Sequence, residues 1–180
     1  MTDLLTGCRN RRYAMERLQQ EWAMAVRSER PLACMVIDLD NLKQINDTHG
    51  HAVGDEVLKT LAWLLAQHMR VPSDLPARVG GEEFAILLPD TRLEGAVAVC
   101  ERIAASLQRL PLQGRDGPFT VTLSMGVVEC WQPEAEALLH RADANLYLAK
   151  GQGRNRIAAS RLSMAGTGKG GVDATADHLA

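Results

Sequence analysis

The feature that most limits what this chain can fold into is a short apolar run, Leu32-Ala33-Cys34-Met35-Val36-Ile37, that stops abruptly at Asp38. The run shows no alternation of apolar and polar residues, so it predicts a strand buried on both faces rather than one half-exposed to water. Covering layers are available on either side in sequence. Met15, Leu18, Trp22 and Val26 recur at helical spacing and predict an amphipathic helix from about Arg11 to Arg27, closed off by Pro31. Val57, Leu58, Leu61, Leu65 and Met69 trace one face of a long helix that starts near Val53 and ends before Pro72. Leu93, Ala96, Val97, Cys100, Ile103, Ala104 and Leu107 predict another, after which Gly114 and Gly117-Pro118 break the period.

Between the last two helices, Ala77–Val79 and Phe84–Leu88 read as extended segments flanking Gly80-Gly81. Paired glycines supply positive φ, so a tight hairpin is expected with the glutamates at its tip. Phe119–Val128 alternates and is rich in Val and Thr, which predicts a strand; Ala135, Leu138, Leu139, Ala142 and Leu146 predict a last helix. A final short strand is expected near Arg156–Ala158. Beyond Ser160 the sequence thins into Gly, Ala, Ser and Thr, so residues 161–180 are expected to be a disordered tail behind a single domain, 1–160. Strands and helices intermix without strict alternation, which favours an α/β sandwich around a mixed or antiparallel sheet.

Composition narrows the function. The 180 residues, 46% of them hydrophobic, suit one packed core. Twenty basic residues against twenty-two acidic ones leave a formal charge of -2, which excludes the global electrostatic footprint of a polynucleotide-binding protein. Cys8, Cys34, Cys100 and Cys130 form no C-x-x-C pair, which argues against zinc and disulfides and for reduced thiols in the cytoplasm. No apolar stretch approaches a membrane span, and the mixed polar start does not fit a signal peptide.

Asp38 stands where the apolar strand ends and a helix begins, a good position for a hard divalent cation, which takes one or two carboxylates with carbonyl, water and phosphate oxygens. The backbone after it would aim free N–H groups at phosphate, and Lys43 could add a point charge. Asp40 reads equally as a helix N-cap or as a catalytic acid. The adjacent acids in Gly80-Gly81-Glu82-Glu83-Phe84 repel one another unless a cation sits nearby.

With that pentapeptide the chain resembles the GGDEF family of diguanylate cyclases, in the GGEEF form. The resemblance spans Thr2 to Ile157 and carries the motifs in family order: Asp3-Leu4-Leu5-Thr6-Gly7, Asp38-Leu39-Asp40-Asn41-Leu42-Lys43, Gly50-His51-Ala52-Val53-Gly54-Asp55, the hairpin, Ser124-Met125-Gly126, and Ala149-Lys150 before Gly153-Arg154. It implies a fold like the palm of nucleotidyl cyclases and polymerases, with about five mainly antiparallel strands surrounded by helices. It further implies that Asp38, Glu82 and the Leu39 carbonyl hold two Mg²⁺ or Mn²⁺ ions, and that Glu83 binds metal or deprotonates a 3′-hydroxyl. Asn46 and Asp55 match positions that read guanine, His51 shapes that pocket, and Lys43, Lys150 and Arg154 match residues that hold the triphosphate.

The implied reaction condenses two GTP molecules into cyclic di-GMP across a homodimer; a degenerate module that only senses GTP or cyclic di-GMP is the alternative. The chain starts almost on the first family motif, so an N-terminal sensor in a longer protein is expected. Many relatives carry an R-x-x-D motif for product inhibition before the hairpin. Here Arg70 and Asp74 are one residue too far apart, with Pro72 between them, which implies weakened feedback; Arg102 resembles a secondary arginine used across the dimer.

Overall fold

The structure, a computed structural model of the chain, describes residues 1–130 and 135–162. In chain order it runs β1 (Arg9–Asn10), α1 (Arg11–Ser28), β2 (Leu32–Leu39), α2 (Leu42–His49), α3 (His51–His68), β3 (Leu75–Arg78) and β4 (Glu83–Pro89). There follow α4 (Leu93–Gln108), β5 (Leu112–Gly114), β6 (Gly117–Phe119), β7 (Leu123–Cys130), α5 (Ala135–Gly151) and β8 (Arg156–Leu162). The main sheet has the order β1-β3-β4-β2-β7-β8. The pairings β3–β4, β4–β2 and β2–β7 are antiparallel, while β1–β3 and β7–β8 at the flanks are parallel. This is the mixed, mainly antiparallel α+β architecture that the sequence implies.

Every residue of β2 is buried, as its unalternating sequence requires. Ala33, Met35, Ile37 and Leu39 join a core with α3 and α4, while Leu32, Cys34 and Val36 join one with α1 and α5. Period-two geometry then turns Asp38 toward the α1/α5 side. No disulfide joins Cys8, Cys34, Cys100 and Cys130, and burial pushes the Cys34 thiol up to about 12. No helix among the described residues is long and apolar enough to cross a membrane.

Three expectations change. The strand expected at Phe119–Val128 divides, because Phe119 belongs to a separate β5–β6 hairpin, where its ring stacks on His49 at 4.6 Å between centroids. Thr122 and Ser124, polar members of the alternating stretch, donate their hydroxyls to Asp40. At the other end, β8 pairs with β7 from Ser124 to Cys130 and so continues to Leu162, two residues past the expected domain boundary. The rest of the expected tail, 163–180, lies outside the described residues. Finally, neither Gly80 nor Gly81 has positive φ. Gly80 serves the hairpin through space: a Cβ there would lie 2.7 Å from Glu83 Oε2.

Helix α5 seats against β7 through Gly126, where a Cβ would meet Ala142 O at 2.0 Å and Leu146 N at 2.3 Å. Both are backbone atoms, so the helix itself would have to move. Gly126→Ala is expected to cost about 3 kcal/mol, the upper part of the range for overpacking, read as a fall in the urea midpoint at unchanged m-value.

Candidate active site

The site is assembled at the carboxyl end of β2. Asp38 is 2% exposed there, and Lys150, from the last turn of α5, donates from Nζ to its Oδ2 at 2.8 Å. Burial raises the Asp38 pKa to about 6; Lys150 opposes the shift, and the charges of Glu82 and Glu83 add to it. The acidic hairpin is tied to this strand by register and by hydrogen bonds. Asp38 pairs with Glu83 across the β2–β4 ladder, and Leu39 N donates to Glu82 O at 3.3 Å. Within the turn, Val79 N and Gly80 N both donate to Glu83 O, at 2.9 and 3.2 Å. Two carboxylates distant in sequence are therefore held close by main chain.

A cleft of about 460 Å³ opens beside them, lined by Asp38, Asn41, Leu42, Lys43, Gln44, Asp47, Glu82, Lys150 and Arg154. Five of the residues singled out from sequence, Asp38, Lys43, Glu82, Lys150 and Arg154, thus meet in one space. The start of α2 forms one wall. Its N-cap, Asn41, is left-handed at φ 59° and makes no side-chain cap, which leaves first-turn N–H groups for an anion. Asn41, Gln44 and Asp47 were missed by the sequence reading. Their i, i+3, i+6 spacing puts them on one face of α2, a periodicity the sequence already held.

The guanine-reading candidates sit further along, around the α2–α3 junction. Asn46 packs against Gly54, where an added Cβ would fall 1.8 Å from Asn46 Oδ1. A methyl there would displace the amide. His51 and Asp55 are exposed on the first turns of α3, and neither lines the cleft. Asp40 is neither an N-cap nor open to the cleft: it is 4% exposed and bonded to Thr122, Ser124 and the Asn155 amide.

Arg70 and Asp74 lie away from this end. Asp74 is buried and accepts from Arg70 Nε, Nη2 and main-chain N at 2.7–3.1 Å. The same Nη2 also donates to Pro89 O and Thr91 Oγ1, at the far end of β4 from the hairpin. The guanidinium is engaged by its own domain. Arg102 is exposed on α4.

Among the described residues no group of three or more His, Cys, Asp and Glu converges as a metal cage. Mg²⁺ does not need one, since it is commonly held by one or two carboxylates plus substrate phosphates. Asp38 and Glu82, facing a cleft with three basic side chains, fit that pattern. The raised Asp38 pKa fits too, because burial, with a smaller contribution from Glu82 and Glu83, disfavours the anion more than Lys150 favours it, a cost that a bound cation would relieve.

The model of the family described as diguanylate cyclase, GGDEF domain, matches residues 1–156, and the chain belongs to that family. It is 43% identical over 158 residues to the diguanylate cyclase DgcP of Pseudomonas aeruginosa, covering 87% of this chain and 23% of DgcP. It is 42% identical over 161 residues to the response regulator PleD of Caulobacter vibrioides, covering 87% and 35%. The chain thus spans about a quarter to a third of the length of these relatives. The fold matches the GGDEF domain of DgcB from Caulobacter crescentus, solved with c-di-GMP, at TM-score 0.83 and 32% identity, covering 88% of this chain and 94% of that one. It also matches the active GGEEF domain of a diguanylate cyclase from Vibrio cholerae, at TM-score 0.79 and 36% identity, covering 86% and 99%.

A carboxyl whose pKa is higher folded than unfolded stabilises the fold below its unfolded pKa, and that contribution is lost as pH rises through the folded value. For Asp38 the window is 3.8 to about 6. A cation at Asp38 removes the penalty, so Mg²⁺ is expected to raise the melting temperature more at about pH 7.5 than at about pH 5. Asp38→Asn should abolish that difference in paired thermal melts.

Proposed function

We propose that this chain is the catalytic domain of a diguanylate cyclase, joining two GTP molecules into cyclic di-GMP with release of two pyrophosphates. The observation that carries the reading is the single cleft in which the strand-end carboxylate Asp38 and the hairpin carboxylate Glu82 face Lys43, Lys150 and Arg154. A triphosphate needs such a pairing: acids for the divalent cations that accompany it, and cations of the protein for the remaining phosphate charge.

Asp38, Glu82 and the Leu39 carbonyl would hold two Mg²⁺ or Mn²⁺ ions, which when bound neutralise phosphate charge and acidify a 3′-hydroxyl. Lys43, Lys150 and Arg154 bind phosphate oxygens, Arg154 with the planar fork suited to them. Lys150 faces both Asp38 and the cleft, so phosphate and Asp38 compete for its amine. Asn46 and Asp55 offer an amide and a carboxylate to the polar edge of guanine, with His51 beside them. Glu83, paired in register with Asp38, takes the 3′-hydroxyl proton as that oxygen bonds to the α-phosphorus of the other nucleotide. The bond from that phosphorus to the β-phosphate bridging oxygen breaks, and pyrophosphate departs. One cleft presents one GTP, so a two-fold pair of domains supplies both halves of a symmetric product.

A dimerised form incubated with GTP and Mg²⁺ should yield cyclic di-GMP, identified by chromatography and mass, and Glu83→Ala should cut the rate by about 100-fold or more. GTP binding with no product in the wild type would instead favour a sensor. Since Arg70 is already committed to Asp74, Pro89 and Thr91, feedback through this loop is expected to be weak. Titration calorimetry with cyclic di-GMP should find no site of about micromolar affinity or tighter that Arg70→Ala removes.

A further inference from the structure

Asp40 is a buried acid for which the proposed chemistry has no use. It carries a carboxylate at 4% exposure, and its partners are all neutral donors. Ser124 Oγ donates to Oδ1 at 2.6 Å; Thr122 Oγ1 and the Asn155 main-chain N donate to Oδ2 at 2.6 and 3.0 Å. Two of these come from β7 and its approach. The third comes from the turn between α5 and β8, 115 residues later in the chain.

That turn has unusual backbone. Arg154 and Asn155 are consecutive non-glycine residues in the left-handed region, at φ 64° and 48°. L-residues adopt it rarely, and two in succession persist only where the surroundings hold them. Arg154 N donates to Ala149 O at 3.1 Å and Gln108 Nε2 donates to Asn155 Oδ1 at 2.9 Å, which tie the turn to α5 and α4. The Asn155–Asp40 bond ties it to the strand end that carries Asp38.

We propose that Asp40 is the positioning residue for the phosphate-binding turn: its Oδ2, steadied by Thr122, fixes the Asn155 amide and so sets Arg154 at the cleft. The proposal rests on the reading that Arg154 contacts the triphosphate. Asparagine is a poor replacement for the acid, because it removes the charge that strengthens all three bonds and offers one acceptor oxygen in place of two.

The test is Asp40→Asn, alone and combined with Arg154→Ala, read by GTP kinetics and by amide hydrogen exchange. Asp40→Asn should raise KM for GTP about tenfold with kcat within about threefold, and should add less than about twofold once Arg154 is already alanine. Exchange at the Asn155 amide should accelerate by about 100-fold or more while Val36 and Val127 amides stay protected. Equal losses in both backgrounds, or an Asn155 amide that exchanges as freely in the wild type as in the variant, would overturn the proposal. If Asp40→Asn does not fold, the wild-type amide decides: strand-like protection at Asn155 supports the bond and solvent-like exchange refutes it. A wild type that makes no cyclic di-GMP would defeat the cyclase reading, while the exchange measurement would still report on Asp40.

Discussion

Carboxylates placed at the end of a strand that is dry on both faces must find charge or donors there, and most of this site follows from that demand. The apolar run of β2 commits it to the middle of the sheet, so Asp38 emerges where water is already scarce. Desolvation disfavours its anion, and the hairpin acids add repulsion. An amine answers from α5, a helix that reaches Asp38 because Gly126 lets it lie on β7. Two residues on, Asp40 meets the same problem with hydroxyls and an amide instead. One strand end therefore carries an acid whose charge is only partly balanced and another that is fully bonded. The first is suited to a cation; the second is suited to holding structure.

The hairpin follows the same logic. Adjacent glutamates would be a liability on a free loop, but here three main-chain hydrogen bonds fix them, two accepted by Glu83 O and one by Glu82 O. Gly80 makes room for the Glu83 side chain. Repulsion is thus retained where a divalent cation would relieve it.

Much of this was legible in the sequence because it depends on periodicity and local chemistry. The buried strand, the helices around it and the hairpin all follow from apolar spacing and breakers. The convergence of Asp38, Lys43, Glu82, Lys150 and Arg154 followed from the family resemblance, and the geometry agrees with it. What stayed hidden depends on long-range partners. Asp40 reads as a cap or a catalyst until Thr122, Ser124 and Asn155 are seen beside it. Thr122 and Ser124 read as polar members of an alternating stretch because nothing local reveals a buried acid opposite them. The self-engagement of Arg70 was equally invisible, since Pro89 and Thr91 are brought to it by the pairing of β3 with β4.

The order of strands has a consequence for how the protein comes to life. The walls of the cleft come from residues 38–47, 82, 150 and 154, and the last of these sits on a turn just ahead of β8. A chain growing from its amino end builds both acids and Lys43 well before Lys150 and Arg154 exist. Until α5 and the turn after it are in place, the acids have only Lys43 opposite them, so an unfinished chain holds carboxylates with one of the three basic side chains of the cleft. The cleft is thus completed by the last helix and the turn behind it, so a chain cut short before Lys150 would keep the acids and lose two of the three cations that face them.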